Sequence, residues 1–381
     1  MARRALLFTV IVAAQFVLFE AGLRLAGGSE AAPEFQALFM RDPRVGHRLQ
    51  PGATAHFRTR EFATDIAINS AGVRDVEFGP KAPGERRVVV LGDSLVMAVQ
   101  VPLERTFVKR LEARLSASDP ARTWRVINAG VQGYGPVETW LFYDHVVAAF
   151  DPDIVLVAVF VGNDAIEAFD SAARVERDGL VAEALDDTER FLRRVVRQSM
   201  VLQTVRLRVR MVLDRVRVSQ AVPERPLATY LADPPSDVAA GLDTAARYLA
   251  KIAARAEAQG ARTGLVLVPA RFQLDDEDYG RLRDIVAATG ASLVRDAATD
   301  RFAAALAPLG LPVFDLLPAL RTDADPSSLF FKENVHLTER GHEVAARALE
   351  AFIRGDGLRP TDAYAERVAD TAPDRRPGSH P

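Results

Sequence analysis

The sequence predicts an α/β domain in which a parallel sheet is covered by helices on both faces. Two patterns predict it: short apolar runs without polar alternation, and helix-like stretches that separate them in regular order from residue 86 onward. A strand buried on both faces reads as a continuous apolar run, and alternation of such runs with helices gives parallel crossovers.

The elements follow in order. The first strand, 88–91, is Val88-Val89-Val90-Leu91 and leads to a helical stretch at 103–115. Strand 125–128 is followed by a helix at 137–150, and strand 154–160 by an insertion. Helix 238–258, strand 264–268, helix 301–306 and strand 312–316 come next. A last helix carries Gly341, Val344, Ala345, Ala348, Leu349 and Phe352 at i, i+3, i+4, i+7 spacing, which gives it one apolar face.

Segments outside this alternation have their own signatures. Arg3 and Arg4 precede an apolar run over 5–19, broken only by Thr9 and Gln15, and a helix continued to Ala26 would place Glu20 and Arg24 near the far interface. Fifteen helical residues span about 22 Å, and continuation to Ala26 completes a crossing of the ~30 Å hydrocarbon core. Residues 1–26 are therefore expected to be an N-terminal membrane anchor, with a cleaved signal segment as the rival because Ala26-Gly27-Gly28 offers small residues for processing. In both readings the flanking arginines direct the rest of the chain out of the cytoplasm.

Residues 27–85, rich in Gly, Pro, Thr and Arg, read as a small extended collar with β-like pieces at 53–59 and 64–69. The main domain is expected over 86–356, interrupted by a helical insertion at about 170–236. Arginines crowd its stretch 188–219, with apolar residues every three or four positions. That pattern fits a solvated helix covering the domain or a basic helix lying on an anionic membrane. The polar tail, 357–381, reads as disordered.

Composition excludes several classes. The chain has 381 residues and a formal net charge of −3, without the basic excess that duplex nucleic acid requires. It has no cysteine, which rules out disulfides, thiolate catalysis and cysteine-held zinc. His336 and His342 lie six residues apart across a loop and a helix start, a poor spacing for a metal pair, so neither metal nor other cofactor is expected.

Four short blocks carry the chemistry: Gly92-Asp93-Ser94-Leu95, Asn128-Ala129-Gly130, Gly162-Asn163-Asp164 and Glu333-Asn334-Val335-His336. Ser94 follows the first strand, at the carboxyl edge where open α/β sheets place chemistry. A serine hydroxyl needs a base, and His336, in the loop before the last helix, can be projected over that edge. Gly130 removes a side chain at a strand end, and Asn163 supplies an amide donor that needs no ionisation.

The order and wording of the blocks resemble the SGNH/GDSL hydrolase superfamily over roughly residues 86–354. The resemblance implies a flavodoxin-like three-layer α/β/α fold and ester hydrolysis or acyl transfer through Ser94. It implies that His336 is the base, and that the Ser94 N–H, the Gly130 N–H and the Asn163 side chain form the oxyanion hole. Asp93 is expected to brace the nucleophile loop. At the acid the chain departs from the pattern. Members with Asp-x-x-His would place it at Glu333 and those with Asp-x-His at Asn334. Glu333 is the expected orienting carboxylate, with Asn334 in support and Asp315 a more distant substitute. A stretch over 69–75, Asn69 to Asp75, resembles a prelude in membrane-anchored members and reads as a turn with a packing arginine.

The expected function is an extracytoplasmic, membrane-tethered serine esterase acting on an O-acyl group, O-acetyl in the first instance, of a carbohydrate or lipid-linked substrate. An acyltransferase using the same serine and histidine, and a glycan-binding or assembly protein without catalysis, are the alternatives.

Overall fold

A computed structural model of the protein describes residues 33–178 and 225–358, together with Gln15. From residue 33 come a helical turn, α1 (Pro33–Gln36), and two hairpins, β1 (Phe39–Asp42) with β2 (Gly46–Leu49) and β3 (Thr54–Arg58) with β4 (Ala63–Ala67). Strands β3 and β4 alternate exposed and buried positions, so Ala55, Phe57, Thr64 and Ile66 turn inward. Phe35, Leu38, Leu49, Phe57, Ile66 and Val73 join the same hydrophobic cluster as Val89 and Leu91 of the central sheet. The collar thus shares the core of the main domain.

Five strands form that sheet: β5 (Glu85–Gly92), β6 (Thr123–Gly130), β7 (Ile154–Phe160), β8 (Arg262–Val268) and β9 (Val313–Asp315). All pair in parallel, in the order β6-β5-β7-β8-β9. Between them lie α2 (Ser94–Met97), α3 (Phe107–Ser118), α4 (Pro136–His145), α5 (Asp164–Asp178), α6 (Ser236–Glu257), α7 (Asp276–Ala287) and α8 (Ala297–Leu306), and after β9 come α9 (Leu317–Arg321) and α10 (Glu339–Arg354).

Strand periodicity divides the core in two. Val88 and Val90 face a cluster with Phe107, Leu111 and Leu115 of α3 and Val344, Leu349 and Phe352 of α10. Val89 and Leu91 face the other, with Phe142 of α4, Ala165 of α5, Leu249 of α6 and Phe302 of α8. Each of the four β5 residues is at most 1% exposed, and burying one such side chain stabilises by about 1.5–3 kcal/mol. This makes a three-layer α/β/α domain. After β6 on one side of β5 the chain crosses to β7 on the other, leaving a crevice at the carboxyl ends of β5 and β7. Ser94 follows β5 and Asn163 follows β7.

Several local expectations change. The helix expected over 137–150 ends at His145, because Val146 leaves helical geometry (φ −129°, ψ −59°), and a short 3-10 turn follows. The β1–β2 hairpin and helices α1, α2, α7 and α9 are additional to the elements foreseen, and α5 begins ahead of the helical insertion expected from about residue 170. The N-terminal anchor, the arginine-rich stretch 188–219 and most of the tail lie outside the described residues. Among the described residues no helix is long and apolar enough to cross a membrane.

Candidate active site

The turn after β5 presents Ser94. Gly92 has φ +153°, and a Cβ there would meet Val96 Cγ2 at 2.6 Å and Ala158 O at 3.1 Å, so only glycine lets the chain turn this sharply. Asp93 is the N-cap of α2, and its Oδ1 accepts from the Leu95 N–H at 2.8 Å. Ser94 is therefore the first residue of a short helix, and its own N–H has no hydrogen-bond partner among the described residues.

The far end of α2 is gripped from the collar. Arg74, 1% exposed, donates through Nη1 to Met97 O (2.8 Å) and Ala98 O (2.6 Å) and through Nη2 to Val101 O (2.7 Å). Its neighbour Asp75 accepts from the Asn128 N–H at 2.8 Å and pairs with Lys109 at 3.1 Å. Asn128 donates in turn from Nδ2 to Val96 O at 2.9 Å. The 69–75 stretch thus fastens the nucleophile turn to β6.

His336 reaches Ser94 across the crevice: its Nε2 lies 2.8 Å from Ser94 Oγ. Its Nδ1 is held by Asn334 Oδ1, which also accepts from the His336 backbone N–H at 3.3 Å. An amide oxygen only accepts, so Nδ1 carries the ring proton and Nε2 is free to take one from the serine. Burial is the single cause that lowers the His336 pKa, to about 4. Without a carboxylate against the ring nothing offsets it.

The expectation for Glu333 is corrected here. Its side chain is exposed, and its backbone N–H, like that of Lys332, donates to the Glu61 carboxylate (3.1 and 2.7 Å). With Glu61 holding the loop at that point, the Asx turn two residues before the histidine brings Asn334 to the ring. Asp315 is engaged elsewhere, accepting from the Leu317 N–H at 2.9 Å. Arg271 Nη1 donates to Phe331 O at 3.0 Å, and the Phe62 and Phe331 rings lie 5.3 Å apart, so the histidine loop is gripped from two sides.

Gly130 is also placed differently from expectation. Its N–H donates to Asn128 Oδ1 at 3.1 Å instead of facing the cleft. A Cβ there would lie 2.3 Å from Met97 N, so this glycine is needed for the close passage of α2 over β6. Gly133, exposed at φ +77° in the turn after β6, has an N–H without a partner among the described residues. Sequence reasoning passed over it in favour of the earlier glycine.

Asn163 stands at the start of α5. Its Nδ2 donates to Glu167 Oε1 at 2.7 Å, which leaves one amide N–H, and its Oδ1 is buried without a partner among the described residues. Around it lie four acids. Burial raises Asp93 to about 6 and Glu167 to about 7, the latter with help from Asp93 and Glu138, and it also raises Asp164 and Glu138. No group of acids or histidines suited to a metal ion occurs among the described residues.

With serine, histidine, asparagine and glycine blocks on one sheet edge, the arrangement is that of a serine-dependent acyl enzyme. Residues 229–379 match the family described as SGNH hydrolase-like domain, acetyltransferase AlgX. Over these residues the chain carries an SGNH hydrolase-like domain, in keeping with the SGNH/GDSL resemblance of its four sequence blocks. None of the curated proteins matches it in sequence. Among solved structures it is similar to TesA (15% identity, 71% of this chain and 98% of that one, TM-score 0.39). It is similar also to a catalytic mutant of Axe2, an acetylxylan esterase from Geobacillus stearothermophilus (14%, 72% and 96%, 0.40). A third is the lipase Lip_vut3 from a goat rumen metagenome (13%, 71% and 99%, 0.42). None of the three bears on what this chain acts upon.

Proposed function

We propose that the protein is a serine-dependent acyl-ester enzyme acting on an O-acyl group, O-acetyl in the first instance, of a carbohydrate or lipid-linked substrate outside the cytoplasm. The observation that carries this reading is the 2.8 Å contact between Ser94 Oγ and His336 Nε2. As Ser94 Oγ attacks the acyl carbon, its proton passes to His336 Nε2, and Asn334 Oδ1 holds the Nδ1 proton of the resulting imidazolium. The alkoxide that develops on the carbonyl oxygen is met by the Ser94 N–H and the remaining Asn163 amide N–H, with the Gly133 N–H on the same edge as a third donor. The tetrahedral species collapses, the C–O bond to the alcohol breaks, and His336 returns the proton to the departing oxygen. Water or a second hydroxyl then attacks acyl-Ser94 by the same route, regenerating the serine.

The described family of acetyltransferases favours a hydroxyl acceptor as the second reading. A fluorophosphonate probe tests the shared chemistry: wild type is labelled and Ser94→Ala is not. Incubation with an acetylated oligosaccharide and an unacetylated acceptor then separates release of acetate from transfer. Absence of labelling in wild type would instead support a glycan-binding role without catalysis.

A further inference from the structure

We infer that Glu167 is a positioning residue for Asn163, fixing the amide plane so that its second N–H faces the cleft beside Ser94; this rests on the acyl-enzyme reading above. The two residues are clipped together twice. The Glu167 backbone N–H donates to Asn163 O at 2.9 Å, and the Asn163 side chain donates back to Glu167 Oε1 at 2.7 Å. One amide hydrogen is thereby committed, and rotation about the last side-chain torsion of Asn163 would break that bond. A preorganised donor costs no rearrangement when charge develops, which is what an oxyanion site requires.

The surroundings argue that the carboxyl is there for this bond. Asp93 from the nucleophile turn, Glu138 from α4, and Asp164 and Asp170 from its own helix all act on it unfavourably or share its neighbourhood. Arg174, the cation at the rim, reaches Glu138 at 3.8 Å. Glu167 Oε2 and Glu138 Oε2 are both buried without partners among the described residues, and both face Gly135, where an added Cβ would meet them at 3.5 and 3.6 Å. A hydrocarbon side chain would fill this space without the desolvation cost. The same surroundings raise the Glu167 pKa to about 7, so the group is partly neutral near neutrality. A neutral carboxyl still accepts from the amide while setting less negative charge behind the oxyanion.

The test compares kcat and KM of a short-chain acyl ester for Glu167→Leu and Glu167→Gln, each in wild type and in Asn163→Ala. Glu167→Leu is expected to lower kcat about 10- to 100-fold with KM unchanged, because the loss falls on the transition state. Glu167→Gln, which keeps the acceptor oxygen, should restore kcat to within about 3-fold of wild type. In the Asn163→Ala background, Glu167→Leu should cost less than about 2-fold more, since the donor it positions is gone. Should the leucine variant not fold, Glu167→Asp, one methylene short of Asn163, takes its place with the same expectations. Unchanged kcat in Glu167→Leu, a glutamine variant as slow as the leucine one, or full additivity with Asn163→Ala overturns the inference. Wild-type turnover in a Ser94→Ala control would overturn the acyl-enzyme reading instead, and the two failures are read from different variants.

Discussion

Asn334 and His336 meet through one oxygen: Asn334 Oδ1 accepts both the backbone N–H of His336 and its ring Nδ1–H. A neutral amide thus occupies the place where a serine-histidine pair more commonly has a carboxylate. It fixes the tautomer but brings no negative charge to stabilise the imidazolium. Asn334→Ala should lower kcat about 10- to 100-fold by freeing the ring. Asn334→Asp should retain or raise kcat. Glu333→Gln should leave turnover unchanged, a result readable in the same ester assay. A severe loss in Glu333→Gln would return the orienting role to that residue.

The pH profile follows from the same pair. His336 must be neutral to act as base, and its pKa is lowered to about 4. Activity should therefore persist on acidification to about pH 5 and fall tenfold per unit below about pH 4, as the ring protonates. Asn334→Asp places a negative charge beside Nδ1, favours the protonated ring, and should move this acid limb upward by about one to three units. Initial rates across pH 3–8 would show whether it moves.

The acid cluster predicts an opposite slope in stability. Glu167 binds its proton more tightly in the fold, at about 7 against an ordinary 4.5. The native state therefore holds more protons than the unfolded one between these values, and the associated stability, complete at low pH, is lost as pH rises through about 7. Glu167→Gln removes this loss. It should be more stable than wild type by on the order of 3 kcal/mol at pH 8 and show little difference below pH 4.5. Urea unfolding at the two pH values provides the measurement.

Arg74 offers a test of the grip on the nucleophile turn. Arg74→Met fills much of the same volume but leaves Met97 O, Ala98 O and Val101 O without their buried donor. At about 1–3 kcal/mol for each stranded group, partly relaxed, a loss of at least about 3 kcal/mol is expected. Thermal unfolding should show it, and fluorophosphonate labelling of Ser94 in the folded fraction should slow. An unchanged midpoint would mean that the carbonyls find other donors.

The membrane anchor expected from the sequence is tested by topology. Arg3 and Arg4 before the apolar run 5–19 predict that a reporter fused after Pro381 behaves as exported and that the protein stays with membranes through high-salt washing. A soluble form beginning near Ser29 would establish processing, and a cytoplasmic C-terminus would defeat both readings.

The strands were legible chiefly as apolar runs bounded by turn residues: β5, β6 and β8 extend beyond the predicted segments and β7 coincides with its own. The β1–β2 hairpin was not, since Phe39-Met40-Arg41-Asp42 and Gly46-His47-Arg48-Leu49 show no strand-like alternation. Helix α7 was hidden by its acidic start at Asp276, Glu277 and Asp278, which reads as loop although acids favour a helix N-terminus. Ser94 and His336 were legible as types in fixed order. The partner of His336 was not, because local spacing fits Glu333 and Asn334 alike and the choice rests on Glu61, more than 270 positions upstream. Glu167 did leave a signal, the i, i+4 spacing from Asn163 at a helix start.

Glu61 and Arg74 together give the segment ahead of β5 an unexpected importance. One holds the loop that bears the histidine, the other holds the turn that bears the serine, and neither lies within any of the four sequence blocks. A fragment begun at Arg86 would retain every recognisable block and still lack one of the holds on each half of its proton-transfer pair. The boundary suggested by motif content is therefore in the wrong place for expression or grafting. A unit that keeps both of these contacts begins no later than the second hairpin, and a homologue trimmed to its signature blocks would be expected to test as inactive for reasons unrelated to its chemistry.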